Sequence, residues 1–203
     1  MRDVEQAIAQ IADIRARLAA SSSFRGYAPE SVALVGFLSL ALIVLQTGWP
    51  DRFAGSDQQI VRIWGLLLLA GFLGIAAEAV FRTLRENDRM ASPALVSALR
   101  IVVPGTVMAA AVPIAVLAYA PQACWIVPGF WQMLIGLVTF GSYPLMPRRI
   151  VLPGAWFLLS GLAGLFLAGQ QGSLSPALVG LPFVIGHLGI AWTLFERERF
   201  RAE

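Results

Sequence analysis

Two long stretches without formal charge restrict this chain more than any other feature of its sequence. Residues 101–147 and 150–195 contain no Asp, Glu, Lys or Arg, and Arg148 and Arg149 lie between them. A helix that crosses a bilayer needs about 20 mostly apolar residues. Each stretch is therefore long enough for two crossings, which predicts a polytopic membrane protein.

The composition agrees, because the chain is 58% hydrophobic and 13% charged, whereas soluble domains carry about 25% charged residues. The apolar stretches are uniform and do not alternate as the strands of a membrane barrel do. We therefore predict an all-α bundle of six transmembrane helices. The predicted spans are 32–48, 61–81, 94–120, 125–142, 150–169 and 177–195.

The basic residues predict the orientation of the bundle. All 15 are Arg, and arginines are enriched on the cytoplasmic side of membrane proteins. One predicted side carries Arg2, Arg15, Arg17, Arg25, Arg82, Arg85, Arg89, Arg100, Arg148, Arg149, Arg197, Arg199 and Arg201, and the other carries Arg52 and Arg62. Both termini are thus predicted to be cytoplasmic, with membrane lipids and not nucleic acid as the direct partner of these charges.

The N-terminal segment is predicted to be a separate cytosolic helix. Residues 1–23 precede the six-helix domain at 24–203, and apolar residues recur in them at spacings of three and four. This stripe consists of Val4, Ile8, Ile11, Ile14 and Leu18. It could lie on lipid, pair with a second copy or dock a partner protein. A narrow stripe without Lys or aromatic residues favours packing against protein, so these five are the candidate partner-binding residues.

Two polar residues at mid-membrane depth are candidates for binding a ligand or a proton. Polar groups inside a bilayer are costly and are often functional. His187 lies near the middle of the last span and Gln132 lies in the fourth. The alternative is that each forms a hydrogen bond that joins neighbouring helices.

Glu78 and Arg100 are further candidates near the cytoplasmic side. Arg82 follows Glu78 by four residues, which is the favourable order for an ion pair within a helix. That pair is one explanation of Glu78. A proton or cation site shared with Arg100 or Tyr143 is the other.

Aromatic and thiol residues add two expectations. Trp49, Trp64 and Trp125 fall at predicted outer boundaries, which is typical of an interfacial aromatic belt. The single cysteine, Cys124, excludes an internal disulfide. It lies in a predicted outer loop, as either a free thiol or a residue that bridges two chains.

A short internal repeat joins the fourth and fifth spans. Residues 127–131 and 152–156 match at an offset of 25, and Gly136 and Gly161 match at the same offset. Shared helix-start chemistry is one explanation. A duplicated span, as in transporters built from repeats, is the other.

No motif for catalysis or cofactor binding is present. A chain without Lys has neither a retinal Schiff base nor a P-loop, and Gly-x-Ser-x-Gly and His-Glu-x-x-His are absent. We therefore predict no catalytic residues, no metal and no cofactor, and the sequence does not indicate an enzyme.

The element Phe24-Arg25-Gly26-Tyr27, after a short helical prefix, resembles the start of a group of uncharacterised bacterial inner-membrane proteins of about this length with six spans. Residues 128–132 and 180–183 are also similar. The resemblance implies the same architecture and a bacterial inner membrane, and it implies no activity.

Two functions remain open. The first is a regulatory or assembly component that acts through cytosolic or membrane partners, or as a homo-oligomer, using the N-terminal helix. The alternative is a small transporter or ligand-binding membrane protein with a pocket near His187, Gln132 and Glu78. A polar cavity that joins these residues would favour the alternative.

Overall fold

The computed structural model describes residues 28–85, 91–143, 146 and 148–202, and all regular structure in these ranges is helical. The helices are α1 (Pro29–Gly48), α2 (Pro50–Phe53), α3 (Asp57–Arg85), α4 (Ala91–Tyr119), α5 (Ile126–Gly141), α6 (Val151–Gln171) and α7 (Pro176–Ala202). Short 3-10 turns at Pro121–Ala123 and Arg148–Ile150 precede α5 and α6. The predicted N-terminal helix lies outside the described residues.

Local residue chemistry explains where several helices begin and end. Ser56 Oγ accepts a hydrogen bond of 3.2 Å from Gln59 N, and Ser175 Oγ accepts one of 3.1 Å from Leu178 N. Each serine thereby caps free N–H groups in the first turn of a helix. Helix α6 ends at Gly172, whose φ of 65° lies in the left-handed region that glycine adopts without strain.

In the part of the chain that the structure describes, five helices are long and apolar enough to cross a membrane. They are Pro29–Gly48, Asp57–Arg82, Ala98–Tyr119, Arg148–Gln171 and Pro176–Glu196. The predicted span at 125–142 corresponds to α5, an apolar helix of 16 residues. At a rise of about 1.5 Å per residue, α5 covers about 24 Å.

Apolar side chains cover the outside of the bundle. Leu69, Leu159 and Phe166 are 48%, 68% and 66% exposed, and many other large apolar residues are comparably exposed. A soluble domain buries such residues, whereas a helix in lipid presents them to acyl chains. The surface therefore fits a multi-pass membrane protein.

The six long helices follow one another in a closed order. Helix α1 packs on α7, α7 on α6, α6 on α5, α5 on α4, α4 on α3, and α3 on α1. The most extensive of these contacts are α5 with α6 and α1 with α7. At the end of the bundle where α3 begins, called the Asp57 end, Asp57 Oδ1 accepts a hydrogen bond from Leu174 N. At the opposite Arg82 end, Arg149 pairs with Glu196 at 2.6 Å.

Trp64 belongs to the core of the bundle, and the expectation that it lies in an interfacial belt is wrong. Its side chain is fully buried and stacks on Phe183, with ring centroids 5.5 Å apart. Its indole Nε1 donates to Gln46 Oε1 at 2.9 Å. The reason is that Trp64 lies on the inward face of α3, where Gln46 satisfies the N–H that water would otherwise satisfy.

The repeated glycines lie where α5 and α6 approach most closely. A Cβ at Gly129 would lie 2.8 Å from Gly161 O, and a Cβ at Gly161 would lie 2.8 Å from Gly129 O. A Cβ at Gly136 would lie 3.0 Å from Gly154 O. The two pairs fall in one antiparallel register, so the matching residues of the repeat occupy equivalent places in the helix pair.

Helix α4 packs far less closely than the other helices. In its apolar window 6% of the residues are buried, against 56% for α7. It carries two prolines within the helix, Pro104 and Pro113, and proline removes a backbone hydrogen bond and bends a helix. The loosely packed α4 leaves space between itself and its neighbours.

Candidate functional site

The space beside α4 is a chamber of about 560 Å³. Helices α3, α4 and α5 supply most of its lining, and Val35 from α1 and His187 from α7 complete it. Ile114 and Leu117 of α4 belong to the lining, but Gly105, Ala109 and Ala110 of the same helix are small. Because these side chains are short, they do not fill the volume between α4 and the larger residues of α3.

The chamber runs along the helix axes. On α3 it extends from Arg62 to Ile75, a rise of about 20 Å at 1.5 Å per residue. That is about two thirds of the 30 Å hydrocarbon core of a bilayer. Arg62, at the Asp57 end, is the only charged residue in the lining. The chamber thus has the shape and chemistry of a site for an extended apolar chain.

The two threonines in the lining donate within their own helices, and Trp131 Nε1 of α5 donates to Ala109 O of α4 at 2.8 Å. Thr106 Oγ1 donates to Val102 O at 3.0 Å, and Thr139 Oγ1 donates to Ile135 O at 2.7 Å. Neither hydroxyl proton is therefore directed to a ligand. The walls of the chamber remain almost wholly apolar.

His187 is held by its own helix and by two aromatic rings. Its Nδ1 lies 2.8 Å from Phe183 O. A carbonyl oxygen only accepts hydrogen bonds, so the neutral ring carries its proton on Nδ1. The imidazole packs edge-on to Phe157, with centroids 5.5 Å apart and planes at 84°. The predicted bond from His187 to another helix is absent from the described contacts, and Nε2 is left as an acceptor without a protein partner among them.

Gln132 lies away from the chamber, buried between α5, α6 and α7. Its Nε2 donates to Val179 O at 3.3 Å, which ties α5 to α7. Its Oε1 has no hydrogen-bond partner in the described part of the chain. A Cβ at Gly164 of α6 would lie 3.8 Å from Oε1.

Glu78 forms an ion-pair network at the Arg82 end. It accepts hydrogen bonds from Arg82 Nε at 3.0 Å and from Ser31 Oγ. Arg82 also lies 3.5 Å from a carboxylate oxygen of Glu30. The predicted pair of Glu78 with Arg82 is thus confirmed, and the network ties α1 to α3.

Arg100 does not belong to this network. It is exposed on α4, and no contact among the described residues joins it to Glu78. The structure therefore brings His187 to the chamber and leaves Gln132, Glu78 and Arg100 outside its lining. The candidate partner-binding residues Val4, Ile8, Ile11, Ile14 and Leu18 lie outside the described residues.

The described ranges contain no group of three His, Cys, Asp or Glu side chains that could hold a metal ion. Sequence reasoning did not find the chamber itself. Its signals are the run of small residues after Pro104 and a charged Arg62 within an apolar stretch. Comparison with protein-family models, curated proteins and solved structures finds no match.

Proposed function

We propose that this chain is a six-span protein of the bacterial inner membrane with both termini in the cytosol. Five helices of spanning length among the described residues support this proposal, and α5 packs antiparallel to α6, which is one of the five. The Arg82 end carries Arg82, Arg85, Arg100, Arg148 and Arg149, whereas the Asp57 end carries Arg52 and Arg62. The positive-inside rule assigns the arginine-rich end to the cytosol.

Cysteine labelling tests this orientation. Asp51→Cys places a thiol at the exposed Asp57 end, and Leu84→Cys places one at the Arg82 end, where Leu84 is 76% exposed. A membrane-impermeant maleimide added to intact cells is expected to label Asp51→Cys, and to label Leu84→Cys only after permeabilisation. The reverse pattern would invert the proposed topology.

The native thiol provides the control for this experiment. Cys124 is buried, and burial, together with the nearby Asp57 carboxylate, raises the pKa of its thiol. Maleimides react with the thiolate, so the unmodified chain is expected to remain unlabelled until it is denatured. Rapid labelling of the native chain would show that Cys124 is accessible.

We propose further that the protein binds an apolar chain from the bilayer, the acyl chain of a lipid, in the chamber between α3, α4 and α5. The observation that carries this is the apolar volume of about 560 Å³. The chamber is open to the outside of the bundle, since Leu66 and Ile114 line it and are 68% and 67% exposed. In a bilayer the surroundings are acyl chains, and an almost wholly apolar lining offers water few hydrogen-bonding partners, so an acyl chain is the occupant that this volume favours.

The size and lining of the chamber favour binding of an acyl chain over transport of a polar solute. Ligand pockets commonly enclose about 300–1,000 Å³, so the chamber has room for a ligand. A polar solute, however, needs hydrogen-bonding partners along its path, because an unpaired polar group in an apolar site is costly. The lining offers Arg62 at one end and His187 within, separated by apolar residues.

An alanine pair on α4 tests the binding of an acyl chain. Ala110 and the adjacent Ala111 are both exposed, but Ala110 lines the chamber and Ala111 does not. In Ala110→Phe, the ring occupies the chamber, and overpacking of a filled apolar site costs about 1–3 kcal/mol. The lipid that remains bound in mild detergent, measured by native mass spectrometry, is expected to fall at least about fivefold.

Ala111→Phe is the matched control, because it adds the same ring to the same helix outside the chamber. It is expected to retain lipid as the unmodified chain does. Equal retention by all three proteins, or no retained lipid in any of them, would contradict the proposal.

A further inference from the structure

We infer, on the basis of the proposed function, that Arg62 binds the anionic headgroup of a phospholipid whose acyl chain occupies the chamber. The juxtaposition that carries this inference is one guanidinium at one end of a long apolar volume. An amphiphile has the same arrangement, with a single charged group at the end of an apolar chain. The ligand class is therefore an anionic phospholipid, such as phosphatidylglycerol.

Arg62 has its guanidinium free for such a ligand. The side chain is exposed, and no ion pair or hydrogen bond joins it to another described residue. It lies about 7.5 Å along α3 from Asp57, at a rise of 1.5 Å per residue. An arginine near the end of a spanning helix places its guanidinium at the level of the headgroups, and phosphate oxygens accept from the guanidinium in the bidentate manner that Arg favours.

The other charges at the Asp57 end do not compete for this role. Asp57 accepts a hydrogen bond of 3.0 Å from Leu174 N. Arg52 lies over the ring of Phe53, 5.8 Å from its centroid, outside the chamber. Asp51 is exposed in the short helix α2. Arg62 is thus the cation whose position coincides with the chamber.

The length of the chamber agrees with a headgroup at Arg62. From Arg62 the lining continues along α3 for about 20 Å to Ile75. The acyl chain of a phospholipid held at Arg62 would therefore run inward, parallel to the helices, as its neighbours in the bilayer do. In the proposed topology this lipid belongs to the outer leaflet.

Two lipids with identical acyl chains but different headgroups distinguish binding of the headgroup from binding of the acyl chain. The full-length protein is delipidated in mild detergent and incubated with mixed vesicles of phosphatidylglycerol and phosphatidylcholine, and the bound lipids are counted by native mass spectrometry. The unmodified chain is expected to prefer phosphatidylglycerol about fivefold, the factor that one basic residue typically contributes at an anionic lipid surface. Arg62→Gln is expected to abolish this preference, and Arg62→Lys to keep part of it.

Arg52→Gln is the matched control, since it removes the same charge at the same end of the bundle, and it is expected to keep the preference. If Arg62→Gln keeps the preference, or if it loses both lipids equally together with thermal stability, then Arg62 is not a headgroup ligand and the inference is overturned. In both of these cases Ala110→Phe still decides whether the chamber binds acyl chains. If the unmodified chain retains neither lipid, the proposed function fails and the inference fails with it.

Discussion

Replacing Gly161 by alanine is expected to lower the midpoint of thermal unfolding, although alanine is the better helix former. The added Cβ would lie 2.8 Å from Gly129 O, 2.7 Å from Met133 Cγ and 2.9 Å from Met133 N. Two of these three atoms belong to the backbone of α5 and cannot rotate away. The helices must therefore separate, and overpacking of this kind costs about 1–3 kcal/mol.

The loss of stability in Gly161→Ala involves more than a single contact. Helices α5 and α6 form one of the two most extensive helix pairs of the bundle, and Gly136 and Gly154 make the second close approach of the same pair. A shift at Gly161 therefore disturbs the packing along the whole interface. In a chain of this length, 1–3 kcal/mol corresponds to roughly 2–12 °C in the unfolding midpoint.

Gly74→Ala is the control, and it is expected to raise the midpoint of thermal unfolding. Gly74 lies within α3, and a Cβ there would meet no atom within 4 Å. The same substitution should thus contribute only its helix propensity, about 0.5–1 kcal/mol in favour of the folded protein. The measurement is thermal unfolding in detergent, followed by intrinsic fluorescence. A stabilising effect at both positions would show that α5 and α6 do not meet at Gly161.

The helices could be predicted from the sequence because they depend on local properties. Each predicted span corresponds to a helix, since apolar length, proline at helix starts and glycine at helix ends act within a few residues. The span predicted at 125–142 is slightly too long, because α5 comprises only 16 residues. The 3-10 turn at Pro121–Ala123 and residues Cys124 and Trp125 separate it from α4, because proline at position 121 breaks the preceding helix.

The chamber could not be predicted in the same way, because it depends on how the helices are rotated against each other. His187 and Gln132 are both buried polar residues of apolar helices, yet His187 lines the chamber, whereas Gln132 lies outside it and bonds to Val179 O, eight residues before His187 in α7. Uniformly apolar helices carry little information about which face turns inward, since both lipid and protein neighbours are apolar. The location of Glu78 could be predicted, because its partner Arg82 lies four residues away in the same helix.

The orientation of the Trp64 ring could not be predicted for the same reason. The sequence indicates its depth correctly, near the start of α3, but not that its ring turns into the bundle. What decides the orientation is Gln46, which lies 18 residues earlier and accepts the indole N–H. Contacts of this kind become visible only when α1 and α3 are placed side by side.

Gln46→Leu is therefore expected to destabilise the protein strongly, even though leucine suits a membrane helix better than glutamine does. Gln46 is fully buried; its Oε1 accepts from Trp64 Nε1 at 2.9 Å and its Nε2 donates to Phe53 O at 3.1 Å. Leucine forms neither bond, so Trp64 Nε1 and Phe53 O both lose this partner. An unsatisfied buried group costs about 1–3 kcal/mol. Gln170→Leu is the matched control, because Gln170 is exposed near the end of α6 and should change the stability little.

A double-mutant cycle with Trp64→Phe isolates the hydrogen bond between the two side chains. Phenylalanine keeps most of the stacking on Phe183 and removes the indole N–H, so in the double variant no donor is left unpaired on α3. The combined loss, measured as unfolding midpoints in detergent, is expected to be smaller than the sum of the single losses by about 0.5–3 kcal/mol, the range for residues in direct contact. Strict additivity would mean that Trp64 and Gln46 are not bonded.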